Sequence, residues 1–318
     1  MERNPRKRRR NRHRRVRWQK WLVILAAGGL VIFGAVRLIG YGMDMLSARK
    51  TSQALRDVYY NEASPTPEIA EITPSPLPAA TPGPTATASP VPTQTPLARL
   101  PSVSYPDNPK LQISNRFKAL QKESKYIVGW LTLGSLLDEP VVQKDNEYFL
   151  TRDAKGKENV NGALFLDVAV SLKTRPYTLI IYGHNMKSGA MFGNLRNFEN
   201  NGFYHNNPFI SFDTMYETGR YVVFAVGNIS TEAGLRNSVD LLALLSSNVQ
   251  QRQTALNALL KASVFTNTVD VQPEDQLLLL VTCVDKDDER RVVAARRVRD
   301  GEDENQLKTL VERSRKKQ

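Results

Sequence analysis

The chain has 318 residues, 41% of them hydrophobic, which is enough to bury one sizeable core and still carry tails. Its formal net charge of +12 suggests a polyanion partner, but residues 1–20 alone hold 11 Lys or Arg against one Glu, about +10, leaving about +2 for the rest. A near-neutral globular part argues against a nucleic-acid-binding domain. A single cysteine excludes an internal disulfide framework, and the absence of Cys/His clusters argues against a structural zinc site.

The basic tail, residues 1–20, runs directly into an apolar stretch, 21–43, whose only charge is Arg37. Twenty-three helical residues span ~35 Å at ~1.5 Å each, enough for a hydrocarbon core of ~30 Å. A positive flank ahead of the span predicts a cytoplasmic N-terminus, an external remainder and membrane lipid as the partner of 21–43. A cleaved signal peptide is the rival reading, because the strictly apolar part before Arg37 is 16 residues long. Residues 44–63 read as a juxtamembrane segment with a short helix.

Composition then shifts. Residues 64–106 hold 12 of the 18 prolines among Thr, Ser and Ala. Proline lacks an amide donor and fixes φ, so this segment is expected to be a semi-stiff linker lifting a globular domain, 107–299, away from the bilayer. The rhythm of Leu111, Ile113, Phe117 and Leu120 predicts an amphipathic helix over 108–125. Short apolar or β-branched runs follow at 127–133, 140–143, 163–167, 179–182, 221–226, 277–283 and 291–298, separated by Gly, Asn and Asp. Many short strands in one domain predict a mainly β fold, a closed barrel or a sandwich. A helical rhythm at 249–260 sits in the long connection before the cysteine strand, and 300–318 reads as a polar C-terminal helix or tail.

Two strand ends carry chemistry. Cys283 lies where the apolar run 277–282 gives way to the charged turn DKDD, so its thiol is expected half shielded yet reachable. Of three histidines, His13 sits in the basic tail and His205 in a turn-rich loop, FYHNNP. His184 follows the strand LIIY and a glycine. Arg291, eight residues after Cys283, begins the returning strand. A lone Cys is often inert packing and a lone His often structural; two strand-end groups beside a strand-start arginine favour a nucleophilic site.

In order, IVGWLTL, PVVQKDNEYFL, NGALFLD, TLIIYGHNMKSGAMFGNL, the F..H..I pattern of 203–210, YVVFAV, LVTC and RVVAAR resemble the class B sortases across roughly 126–298. The resemblance implies an eight-stranded sortase-type β-barrel with an N-terminal helix and a long helix before the cysteine strand. It implies a cysteine transpeptidase without a cofactor, in which His184, Cys283 and Arg291 are catalytic and Asn146, Leu150, Tyr182 and Thr282 line the substrate groove. The implied partners are secreted proteins with LPxTG-like or NPxTN-like sorting signals and an amine of peptidoglycan or its lipid-linked precursor. A pilin-linking sortase and a wall-binding module that has lost catalysis are the alternatives. Two departures bear on the substrate: Val281 stands where the family usually has Ser, and the segment after YVVFAV, GNISTEAGLRNS, lacks the common aromatic. Alternation along the strand puts Arg290 and Arg291 on opposite faces, and the Arg-Val-Val match selects Arg291.

Overall fold

The computed structural model describes residues 6–61, 105–283 and 289–317, the side chains of 6–17, 19, 20 and Cys283 excepted. Most of the proline-rich stretch and the charged turn after Cys283 therefore lie outside the described residues. Helix α1 spans Arg6–Asn61, and the chain divides into two compact units, Met1–Lys50 and Thr51–Gln318. Within the first, the large apolar side chains from Trp21 to Val36 are exposed.

In the second unit, eight strands close into a barrel in the order β1 (Ile127–Leu133), β2 (Leu137–Val142), β3 (Leu164–Leu166), β4 (Thr178–Tyr182), β7 (Leu277–Cys283), β8 (Glu289–Arg297), β6 (Arg220–Ser230) and β5 (Phe209–Thr214). The expected barrel is present, and it has a strand that hydrophobic runs alone did not reveal. In β5, FISFDT alternates half-buried and buried positions, a one-sided pattern easily missed beside Pro208. Most neighbours are antiparallel; β2/β3 and β4/β7 are parallel. A parallel pair cannot be closed by a tight turn. The chain between β4 and β7 accordingly carries α3 (Asn201–Asn206), β5, β6 and α4 (Val249–Ala262), the long helix expected before the cysteine strand. Asn248 caps α4, its side chain accepting from the backbone N–H of Gln250 and Gln251.

Helix α2 is shorter than expected, Asn115–Glu123. Ahead of it, Asn108 Oδ1 accepts from Gln112 N at 2.8 Å and Leu111 adopts φ +51°, so the side chain of Asn108 replaces a helical turn with a loop. His205, expected in a loop, lies in α3 and contacts Ser314 Oγ at 3.2 Å. The C-terminal residues also join the unit, as α5 (Glu304–Glu312) buries Leu307 and Val311.

The unit begins earlier than the expected boundary at 107, because the last turns of α1 seat on the barrel. Leu55 and Tyr59 are buried, Tyr59 stacks on Trp130 at 4.3 Å, and its hydroxyl donates to Asp213 at 2.6 Å. Arg56 pairs with Asp138 at 2.8 Å and Ser52 donates to Glu139 at 2.5 Å. Burying the Leu55 and Tyr59 side chains contributes ~2 kcal/mol each. Tyr105, near the C-terminal end of the proline-rich stretch, is buried on the same unit. That stretch thus joins two segments of one unit, where the sequence suggested a spacer ahead of it.

This seat carries a pH dependence. Burial pushes the Glu139 carboxyl up to about 7, against the downward pull of the Ser52 hydrogen bond and the Arg56 guanidinium. A carboxyl raised above its unfolded value of ~4.3 gives stability that is full below that value and lost as pH rises through 7. Glu139→Gln should flatten the thermal midpoint between pH 5 and 8 and stabilise the protein at pH 8 by on the order of 2 kcal/mol. An unchanged pH profile of the melting curve counts against this account.

Candidate active site

The site follows from one feature of topology. Because β4 and β7 run parallel, their C-terminal ends reach the same rim; β8, antiparallel to β7, starts there. Tyr182 stands beside Val281, and Gly183 N donates to Val281 O at 3.2 Å. His184 and Cys283 each lie two residues past that rung, Cys283 as the last residue of β7 and His184 just beyond the end of β4. The sequence places a polar residue at or just past the end of each strand; the parallel pairing puts both strand ends at one rim.

The arginines are placed differently from the sequence expectation. In the β7/β8 register Cys283 is opposite Arg290, and Thr282 is opposite Arg291. Residues opposite one another across a ladder share a face and successive residues alternate. Tyr182, Val281, Cys283, Arg290 and Val292 therefore share one face, and Thr282 and Arg291 share the other. Arg291 does not share the face of Cys283. Its guanidinium engages Glu199, Nε at 3.1 Å and Nη2 at 2.9 Å from Oε1. The Arg-Val-Val match selects Arg291, which in this register lies across from Thr282, whereas its neighbour Arg290 lies across from Cys283.

His184 is half-buried, and its Nε2 stands 2.6 Å from the carbonyl oxygen of Leu150. A carbonyl only accepts, so Nε2 carries the proton in this contact. The ring lies over Gly162, which adopts φ +63°; a Cβ there would meet Phe149 O at 2.6 Å and His184 Cδ2 at 3.1 Å. The His ring can sit here because the backbone beneath it has no side chain.

The expected groove residues fall in three settings. Leu150 is 38% exposed, and its backbone rather than its side chain touches the histidine. Asn146 accepts from Val168 N at 2.9 Å and approaches Asp167 Oδ2 at 3.4 Å. Tyr182 packs against Phe165 and hydrogen-bonds Asp167; burial, then the Asp167 charge, pushes its phenol well above the usual range, while Arg290 pulls it down. Thr282 is 2% exposed and faces away from Cys283.

Asp167 is a residue the sequence reading did not single out, and Arg290 is one it set aside in favour of Arg291. Asp167, nearly fully buried, ties Asn146 to Tyr182. A carboxylate closing the apolar run ALFL was the available signal. At the opposite rim, Arg175, Glu217 and Arg297 pair among themselves, as do Asp275 and Arg299. Among the described residues no cluster of His, Cys, Asp and Glu is placed to hold a metal.

A closed eight-stranded barrel with a cysteine ending one strand and a histidine just past the end of its parallel neighbour defines the class of protein. The family model described as the Sortase domain matches residues 136–298, and the chain belongs to the sortase family. Its relatives place it in class B. It is 31% identical over 187 residues to Sortase B of Listeria monocytogenes, covering 56% of this chain and 72% of that protein. It is 30% identical over 188 residues to Sortase B of Staphylococcus aureus, covering 58% and 74%. Among solved structures, a Staphylococcus aureus sortase B–substrate complex superposes with a TM-score of 0.52 at 28% identity, over 60% of this chain and 88% of that one. Sortase B from Bacillus anthracis superposes with a TM-score of 0.58 over 80% and 97%, its 24% identity bearing on the fold alone. The sortase family is a family of cell-envelope transpeptidases, and an apolar helix at the N-terminus accompanies the barrel here.

Proposed function

We propose that this chain is a membrane-anchored cysteine transpeptidase that cleaves a C-terminal sorting signal after Thr and transfers the protein to an amine of peptidoglycan. The observation that carries the reading is the parallel β4/β7 pair, whose last rung, Tyr182 beside Val281, lies two residues before His184 on one side and Cys283 on the other. Cys283 attacks the Thr carbonyl and forms a thioacyl enzyme. His184 gives its proton to the departing amine and takes one from the incoming amine. Arg290, on the face of Cys283, holds the oxyanion or the substrate backbone with its planar fork. Asn146, Leu150 and Tyr182 border the path of the signal peptide; Thr282 supports it from behind. The span 21–43 anchors the chain with its N-terminus in the cytoplasm and the barrel outside.

The test incubates the purified full chain with LPxTG-like and NPxTN-like peptides, with and without an added amine. The expected result is a thioacyl adduct on Cys283 by mass spectrometry and an amine-dependent transfer product. An acceptor arm comparing a peptidoglycan peptide with a lysine peptide separates wall anchoring from pilin linking. No adduct with any peptide, while the thiol still alkylates, would support a binding module.

A further inference from the structure

The histidine loop is tied back on itself. Phe192 N donates to His184 O at 3.0 Å, Gly189 N donates to Met186 O at 3.0 Å, and Asn185 bridges Met191. Met191 adopts φ +49°, a strained conformation for a non-glycine residue that persists only where its surroundings impose it. At Gly193 a Cβ would stand 2.0 Å from Met186 O, so the loop is pressed onto the start of the 3-10 helix Gly193–Glu199. Phe192, Leu195 and Phe198 fix that helix in the core.

The far end of the same helix is Glu199, and its partner is Arg291. The Arg291 side chain is 12% exposed and gives Glu199 two contacts, at 3.1 and 2.9 Å. Arg291 is the strand neighbour of Arg290, which opposes Cys283. One covalently continuous piece thus runs from His184 to Glu199, and one ion pair joins it to the hairpin that carries the cysteine.

We infer that Arg291 and Glu199 form a positioning pair that sets His184 against Cys283, with Arg291 acting through the histidine segment and never touching substrate. This rests on the proposed His184–Cys283 chemistry. A partly buried pair whose members lie on separate elements is suited to the task, because losing one partner leaves the other's charge uncompensated and frees the joint.

The experiment measures thioacyl formation in single turnover by the full chain, with peptide dependence and melting midpoint recorded for every variant. Arg291→Gln and Glu199→Gln should each slow the acylation step about tenfold with little change in half-saturating peptide, and the double variant should be no slower than either single. The exchanged pair, Arg291→Glu with Glu199→Arg, should recover most of the wild-type rate. Effects of the two single substitutions that multiply in the double would overturn the inference. So would normal activity of Glu199→Gln alongside a dead Arg291→Gln. If the exchanged pair does not fold, the glutamine cycle decides alone. Turnover surviving in Cys283→Ala would sink the proposed chemistry instead, and is distinguishable from either result.

Discussion

Cys283→Ala should give a folded protein with no thioacyl adduct and a transfer rate reduced at least ~10⁴-fold, because removing the proposed nucleophile removes the covalent route and leaves binding alone. Alanine is smaller than cysteine and introduces no polar group, and the strand it ends is held by Leu280 and Val281, which are wholly buried. The melting midpoint should therefore move by no more than a few degrees. Peptide turnover measured beside that midpoint checks the assignment. Loss of the cooperative transition together with activity would make Cys283 a packing residue.

The second large effect separates two adjacent arginines. Arg290→Ala should lower kcat/KM by ~10² to 10³, the usual cost of losing an oxyanion donor, about 3 to 4 kcal/mol of transition-state stabilisation. Arg290→Lys should recover only part of it, since an ammonium lacks the planar fork. Arg291→Ala should cost about tenfold, through the histidine segment held by Glu199. The ranking follows from the ladder, in which Cys283 opposes Arg290 and Thr282 opposes Arg291. Steady-state kinetics of the three variants are sufficient. A nearly normal Arg290→Ala with a dead Arg291→Ala would mean that the register at the top of β8 is shifted by one in the working enzyme.

Local sequence determined the elements and their chemistry. The run LLLLVTC is too short and too apolar for a capped helix and reads as a buried strand, which β7 is; LIIY followed by Gly-His reads as a strand end, as at β4. The lone cysteine and the histidine after that glycine were legible because their residue types and their position at the end of an apolar run are local properties. The barrel and its class were legible because eight short motifs keep their order.

Tertiary structure decided what depends on partners far apart in the chain. The parallel pairing of β4 with β7 joins residues about a hundred positions apart, and no local pattern states it. The register of β7 against β8 depends on ladder partners, so a match of Arg-Val-Val could slip by one residue and reverse a side chain. Glu199 and Asp167 enter the site region only through folding, the first by meeting Arg291 and the second by meeting Tyr182 and Asn146. The seat of 51–61 was hidden for the same reason. Leu55 and Tyr59 look like scattered apolar residues on a polar helix until Trp130 and Asp213, 71 or more positions later in the chain, complete their surroundings. Propensity and periodicity act over a few residues, whereas burial and pairing are settled by the whole chain.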